Sequence, residues 1–153
     1  MLGGGNGLGT ALEEFARFKF TSLDKRAKGK GQSGHDHMVK LNKGNILVEH
    51  KTSSRCWKNN TDYKWQHVEE NHKWDMLLLT GIDFDNVKFW GMDRKTFCRL
   101  SSEGKITNQG NKTGESSEGK WFYYSDVKDS LVEIQTDDEL VRFASSLEEE
   151  AVD

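Results

Sequence analysis

Proline is absent from this 153-residue chain, and cysteine occurs only at positions 56 and 98. The first absence removes one source of rigid turns. The second excludes a disulfide framework: Cys56 and Cys98 form no C-x-x-C and read as reduced thiols in a reducing compartment. With His35, His37, His50, His67 and His72 they lack the paired short spacings of structural zinc sites. No stretch approaches the ~20 apolar residues of a membrane span, and no signal peptide opens the chain. The expectation is a soluble, intracellular protein with no membrane partner. Residues 1–9 are rich in glycine but follow no strand and fit neither GxGxxG nor a P-loop, so they read as a flexible lead-in. No internal repeat is apparent.

What is present is bulky and charged. Apolar residues make up 34% and charged residues 31%, yet five Trp, eight Phe and three Tyr supply enough packing groups for a folded body. The length fits a single domain over residues 1–153 with one core. The net charge of −3 hides an asymmetry. Residues 17–58 hold eleven Lys or Arg against three acids, whereas residues 125–153 hold two against ten. The basic stretch, including Lys28, Lys30 and Arg55, fits a polyanionic partner. The other reading is a solvated surface with a mobile loop at residues 25–30.

Leu8, Ala11, Leu12, Phe15 and Ala16 recur at helical spacing, with Glu13, Glu14 and Arg17 elsewhere on the wheel. Residues 37–41 and 46–51 are β-type runs joined by Asn42-Lys43-Gly44-Asn45, which reads as a hairpin. Thr61 or Asp62 is placed to cap a helix running to about residue 72 and bearing Gln66. Met76-Leu77-Leu78-Leu79 reads as a central strand buried on both faces, followed by a strand at 87–92. Trp74 and Trp90 read as core residues. Residues 101–120 are polar and read either as a linker or as a loop that wraps a ligand. Asn108, Gln109, Asn111 and Lys112 there are groups that bond phosphates and base edges. Short strands follow at 121–124 and 131–134. Thr136-Asp137-Asp138-Glu139 is a capping box that starts a helix lined by Leu140, Phe143, Ala144 and Leu147.

The hairpin carries the chemistry. Alternation puts Glu49 and Lys51 on one face of its second strand and Val48 and His50 on the other. The returning chain brings Asp36 beside Glu49. Two carboxylates suit a hard divalent ion, and a neighbouring lysine can orient water or offset charge on a phosphate. Acid-x-Lys triplets occur six times, so context must choose among them. Only Lys51 closes an apolar strand with an acid one hairpin earlier and a plausible helix after it. The nearest rival, Asp93-x-Lys95, has Asp83 and Asp85 before its strand but no helix expected directly after it.

This order over residues 8–92 (helix with an acid, Asp36, Glu49-x-Lys51, helix with Gln66, WDMLLL, strand) resembles the core of the PD-(D/E)xK nuclease superfamily, of the small restriction endonuclease and phage or viral nuclease kind. His35 stands where the motif's proline would be. The resemblance implies an α/β, restriction-endonuclease-like core with a central mixed sheet flanked by helices, and a variable segment at 93–150. It implies Mg²⁺-dependent hydrolysis of DNA phosphodiester bonds, with Mn²⁺ able to substitute. Asp36, Glu49 and the His50 carbonyl become metal ligands, Lys51 the catalytic lysine, Gln66 a supporting residue, and Glu13 or Glu14 the acid of the first helix. The expected partner is double-stranded DNA, met either by a homodimer that cuts both strands or by a monomer that nicks one, and the resemblance implies the cytoplasm of a bacterial or virus-infected cell, or a nucleus, as the setting. The competing readings are a non-cleaving DNA-binding module on the same fold and a structure-specific repair or junction nuclease.

Overall fold

The apolar run at residues 76–79 forms strand β5 (Met76–Ile82), buried along nearly its whole length in the computed structural model. Residues 5–26, 35–55, 62–108 and 119–152 are described. The elements in chain order are α1 (Gly5–Lys19), β1 (Leu23–Lys25), β2 (His37–Leu41), β3 (Gly44–Ser54), β4 (Lys64–Val68), β5, β6 (Val87–Asp93), α2 (Arg94–Ser102), β7 (Thr107–Asn108), β8 (Lys120–Tyr123), α3 (Tyr124–Val127), β9 (Val132–Glu133) and α4 (Asp137–Val152). They form a mixed α/β structure. A six-stranded sheet runs in the order β1-β2-β3-β5-β6-β9, and a three-stranded sheet in the order β4-β8-β7. Among the described residues only β3 and β5 pair in parallel, from Val48↔Met76 to Ser54↔Ile82; the other pairs are antiparallel.

Strand alternation divides the core in two. On one face of the large sheet Val39, Val48, Met76, Leu78 and Phe89 pack against Ala16 and Phe20 at the α1 end and Leu140 and Ala144 of α4. On the other, Leu77, Leu79, Trp90 and Met92 meet Trp65 of β4, Phe122 of β8, and Phe97 and Leu100 of α2. Burying side chains of this size contributes about 1.5–3 kcal/mol each, so both sandwiches are substantial. Trp74 and Trp90 are core residues, as expected. The hairpin register His37↔Val48 matches the sequence reading, and so does the face split, with Val48 on the α1 side and Glu49 and Lys51 alternating to the opposite side. At the start of α4, the Glu139 N–H donates to Thr136 Oγ1 at 3.2 Å and the Thr136 hydroxyl donates to Glu139 Oε1 at 3.2 Å.

Four expectations are corrected. The helix placed at 61–72 is instead strand β4, so Gln66 lies on a strand. Tyr63 and Trp65 are two residues apart, which is strand spacing, and a bulge with His67 at φ 60° returns Val68 to the inner face. Asp62 starts no helix of its own; its carboxylate accepts from Tyr63 N (2.9 Å), Ser125 N (3.1 Å) and Ser125 Oγ (2.6 Å), tying the start of β4 to the first turn of α3. Gly119 opens β8 at φ 83°, and a Cβ there would lie 2.8 Å from the His67 carbonyl carbon, so the bulge requires glycine opposite it.

Second, β3 continues through Ser54 rather than ending at Lys51, because pairing with β5 extends to Ile82. Third, α1 begins at Gly5, inside the stretch read as a lead-in. Fourth, a helix does follow Asp93. Asp93 is the N-cap of α2, its Oδ1 accepting from Thr96 N at 2.7 Å, and Phe97 and Leu100 bury the inner face. No helix of the described residues is long and apolar enough to cross a membrane.

Candidate active site beside the first hairpin

Asp36 precedes β2 and is fastened to β3 on both sides of Glu49. Its N–H donates to the Val48 carbonyl at 2.7 Å, and its Oδ2 accepts from His50 N at 2.9 Å. The Asp36 and Glu49 carboxyl groups hydrogen-bond to each other. Two carboxylates in such contact hold a proton between them. Burial, then the hydrogen bond and charge of Asp36, raise the Glu49 pKa, against the opposing charge of Lys51. Burial alone would raise Asp36 as well. The hydrogen bonds from Glu49 and the His50 N–H overcome it and hold Asp36 below the ordinary carboxylate range. The proton therefore belongs mainly to Glu49.

Lys51 follows on the same face and lines a cavity of about 470 Å³ with Leu8, His50, Lys64, Gln66 and His67. The structure thus brings Gln66 to Lys51 from a strand rather than from a helix. Of the two first-helix acids, Glu13 is the one that feels the site. Its pKa is raised first by burial and then by the charge of Asp36, with Arg17, Arg26 and Lys51 opposing. Glu14 is exposed.

Behind the site runs a chain of buried polar groups that the sequence reading did not identify. Arg17 Nη1 lies 3.0 Å from His37 Nδ1, His37 Nε2 lies 3.1 Å from His50 Nδ1, and His50 Nε2 lies 2.6 Å from Thr80 Oγ1. Arginine only donates, so the proton directions follow: His37 Nε2–H donates to His50 and His50 Nε2–H donates to the threonine hydroxyl. Burial, then the neighbouring His50 and Arg17, push His37 down to about 3. Burial pushes His50 down to about 4, with Arg17 and Lys51 adding to it against Asp36. Both rings are neutral near pH 7. The chain ties α1 to β2, β3 and β5 directly beneath the carboxylate pair. The available signal was that His37 and His50 fall at inward-facing positions of paired strands, where a lone histidine would lack a partner.

A divalent ion fits this donor set. Among the described residues no three His, Cys, Asp or Glu side chains form a metal-holding group. Mg²⁺, however, is commonly held by one or two carboxylates with its remaining positions filled by water. Asp36 and Glu49 are the two carboxylates here that could hold such an ion, at the place where the shared proton lies. The His50 carbonyl leaves the strand on the same side as its N–H, toward Asp36.

The rival site differs. Asp93 is engaged as a helix cap, and Asp83 pairs with Arg55 at 2.7 Å at the far end of β6. A second cavity of about 450 Å³ contains Asp75, Asp93, Lys95 and Glu148, but Asp75 Oδ2 accepts from Leu47 N at 2.8 Å. Its aspartates thus serve the backbone. Of the expected DNA contacts, Arg55 is exposed and paired with Asp83, and Asn108 is exposed on β7 opposite Lys120. Lys28, Lys30, Gln109, Asn111 and Lys112 lie outside the described residues, as does Cys56.

No protein-family model, curated protein or solved structure significantly matches the chain.

Proposed function

We propose that this protein is a divalent-metal-dependent deoxyribonuclease with a restriction-endonuclease-like core, hydrolysing phosphodiester bonds at Asp36, Glu49 and Lys51. The observation that carries the reading is the hydrogen-bonded Asp36–Glu49 pair with Lys51 two residues on, on the same strand face. Six acid-x-Lys triplets occur in the chain, and this one has a second carboxylate against its acid.

In this reading Asp36, Glu49 and the His50 carbonyl hold Mg²⁺, or Mn²⁺ in its place. The ion supplies Lewis acidity at water and phosphate when bound. Lys51 offsets negative charge at the phosphate or orients the attacking water, and it does so from a half-buried position where a charge acts strongly. Gln66 borders the same cavity and positions a polar group beside Lys51. Glu13 sets the charge at the helix side of the site. Basic residues around 17–58 and the segment at 108–112 supply backbone contacts to double-stranded DNA. A homodimer would place two such sites on opposite strands.

The reading from another class is a DNA-binding module that cleaves nothing. Supercoiled plasmid incubated with Mg²⁺ and with EDTA separates the two. Nicked or linear product only with Mg²⁺ supports the nuclease, and a gel shift without product supports the binder.

A further inference from the structure

The small sheet has an outer face that neither core uses. Trp65 of β4 sits opposite Phe122 of β8, and both are fully buried against the large sheet. Alternation therefore turns Lys64, opposite Tyr123, and Trp121 outward. Trp121 and Tyr123 are only half-buried, belong to neither apolar cluster, and meet edge to face at 5.3 Å. Lys64 Nζ lies 4.4 Å from the Trp121 ring centroid and 5.8 Å from that of Tyr123. Lys64 also lines the cavity that holds Lys51 and Gln66. One lysine thus borders both the aromatic face and the candidate active site.

We propose that Lys64, Trp121 and Tyr123 form a stacking platform for the unpaired bases of a DNA strand, so that the substrate class of the adjoining site is DNA with a single-stranded segment. The term substrate rests on the nuclease reading; the binding site does not. Every base has a π-face, so aromatic stacking accepts any sequence, while the lysine that lies over the Trp121 ring is displaced from that face by the base and meets the phosphate. A base inside a duplex is already stacked on both sides and gains nothing from the platform. A strand seated on Trp121 passes Lys64 and enters the Lys51 cavity, which continues the same positively charged path. If the two aromatics served only to cover the ribbon, their loss would lower stability and weaken all nucleic-acid binding alike.

The test is fluorescence anisotropy in EDTA, where no cleavage intervenes. The probes are oligo(dT) and oligo(rU) of about 20 nucleotides, longer than the roughly 4–16 nucleotides a small β-fold covers, and a blunt duplex of the same length. Trp121→Leu keeps apolar cover but removes the ring, Trp121→Phe restores a π-face, and Tyr123→Leu gives a second route should either tryptophan variant fail to fold by circular dichroism. The expected result is a roughly 5- to 100-fold weaker affinity of Trp121→Leu and Tyr123→Leu for oligo(dT), recovery in Trp121→Phe, and unchanged duplex affinity. Unchanged oligo(dT) affinity in folded leucine variants, or equal losses on duplex and single strand, would overturn the proposal. Tighter binding of oligo(rU) than of oligo(dT) would overturn its assignment to DNA. Selective single-strand binding without Mg²⁺-dependent cleavage would leave the platform standing and remove the nuclease reading. Cleavage with no selective binding loss would do the reverse.

Discussion

Asp36 and Glu49 hydrogen-bond carboxyl to carboxyl beside the β2–β3 hairpin, with the proton held mainly on Glu49. Such a pair is stable only while that proton, or another positive charge, lies between the two groups. In the proposed reading a divalent cation takes the place of that proton.

The pair sets a stability prediction that needs no activity. The Glu49 pKa is raised in the folded state from its ordinary value of 4.5, so its contribution is fully present below about 4.5 and is lost as pH rises toward about 9. Glu49→Gln keeps a donor to Asp36 at every pH. It should therefore stabilise the protein increasingly from pH 5 to 9, by about 2 kcal/mol at the upper end, or roughly 4–8 °C in melting temperature. Mg²⁺ should raise the wild-type melting temperature more than that of the variant. Equal pH profiles for the two proteins would remove the shared proton.

The histidine chain has the opposite sign. His37 and His50 are held neutral, their pKa values pushed down to about 3 and about 4 from the ordinary 6.5, so their contribution is present above about 6.5 and lost as pH falls toward 4. Each imidazole kept unprotonated in the folded state costs about 2 kcal/mol at pH 5. Thermal melts of His50→Gln should show a flatter decline between pH 6.5 and 5 than those of the wild type. A parallel decline would place the acid sensitivity elsewhere.

Much of this arrangement was legible in the sequence, and the limits have physical causes. The hairpin, β5 and α4 are specified by local signals: period-two alternation, an uninterrupted apolar run, and a capping box. Asp36, Glu49 and Lys51 could be brought together because a hairpin fixes its own register. Strand β4 was not legible as a strand, because its partner β8 lies more than fifty residues on and the pairing Trp65↔Phe122 is non-local. The same gap hid the platform formed by Lys64 and Trp121. Helix α2 went unseen because Asp93 was weighed as a ligand, although Phe97 and Leu100 at i, i+3 after a capping acid signal a helix.

The Asp93 assignment gives a contrast. Asp93→Ala removes the N-cap of α2 and should lower stability by about 1 kcal/mol. Cleavage by Asp93→Ala under conditions where it is folded should match the wild type. A large loss of rate in folded protein would return the rival triplet to consideration.

Lys51→Ala should slow cleavage by roughly 10²–10³-fold with little change in DNA affinity or melting temperature, as for one preorganised charge at a phosphoryl transition state. Lys51→Arg should not restore the full rate, because the guanidinium is larger and does not release its proton. Single-turnover rates together with anisotropy in EDTA separate chemistry from binding.

The account stands most directly on plasmid cleavage by Asp36→Asn and Glu49→Gln in Mg²⁺, measured beside duplex binding in EDTA. A neutral amide is a poor Mg²⁺ ligand, so both variants should bind DNA within a few-fold of the wild type and yield no nicked or linear product. Wild-type cleavage by either variant, or no Mg²⁺-dependent cleavage by the wild type itself, would contradict a metal-dependent nuclease centred on Asp36 and Glu49.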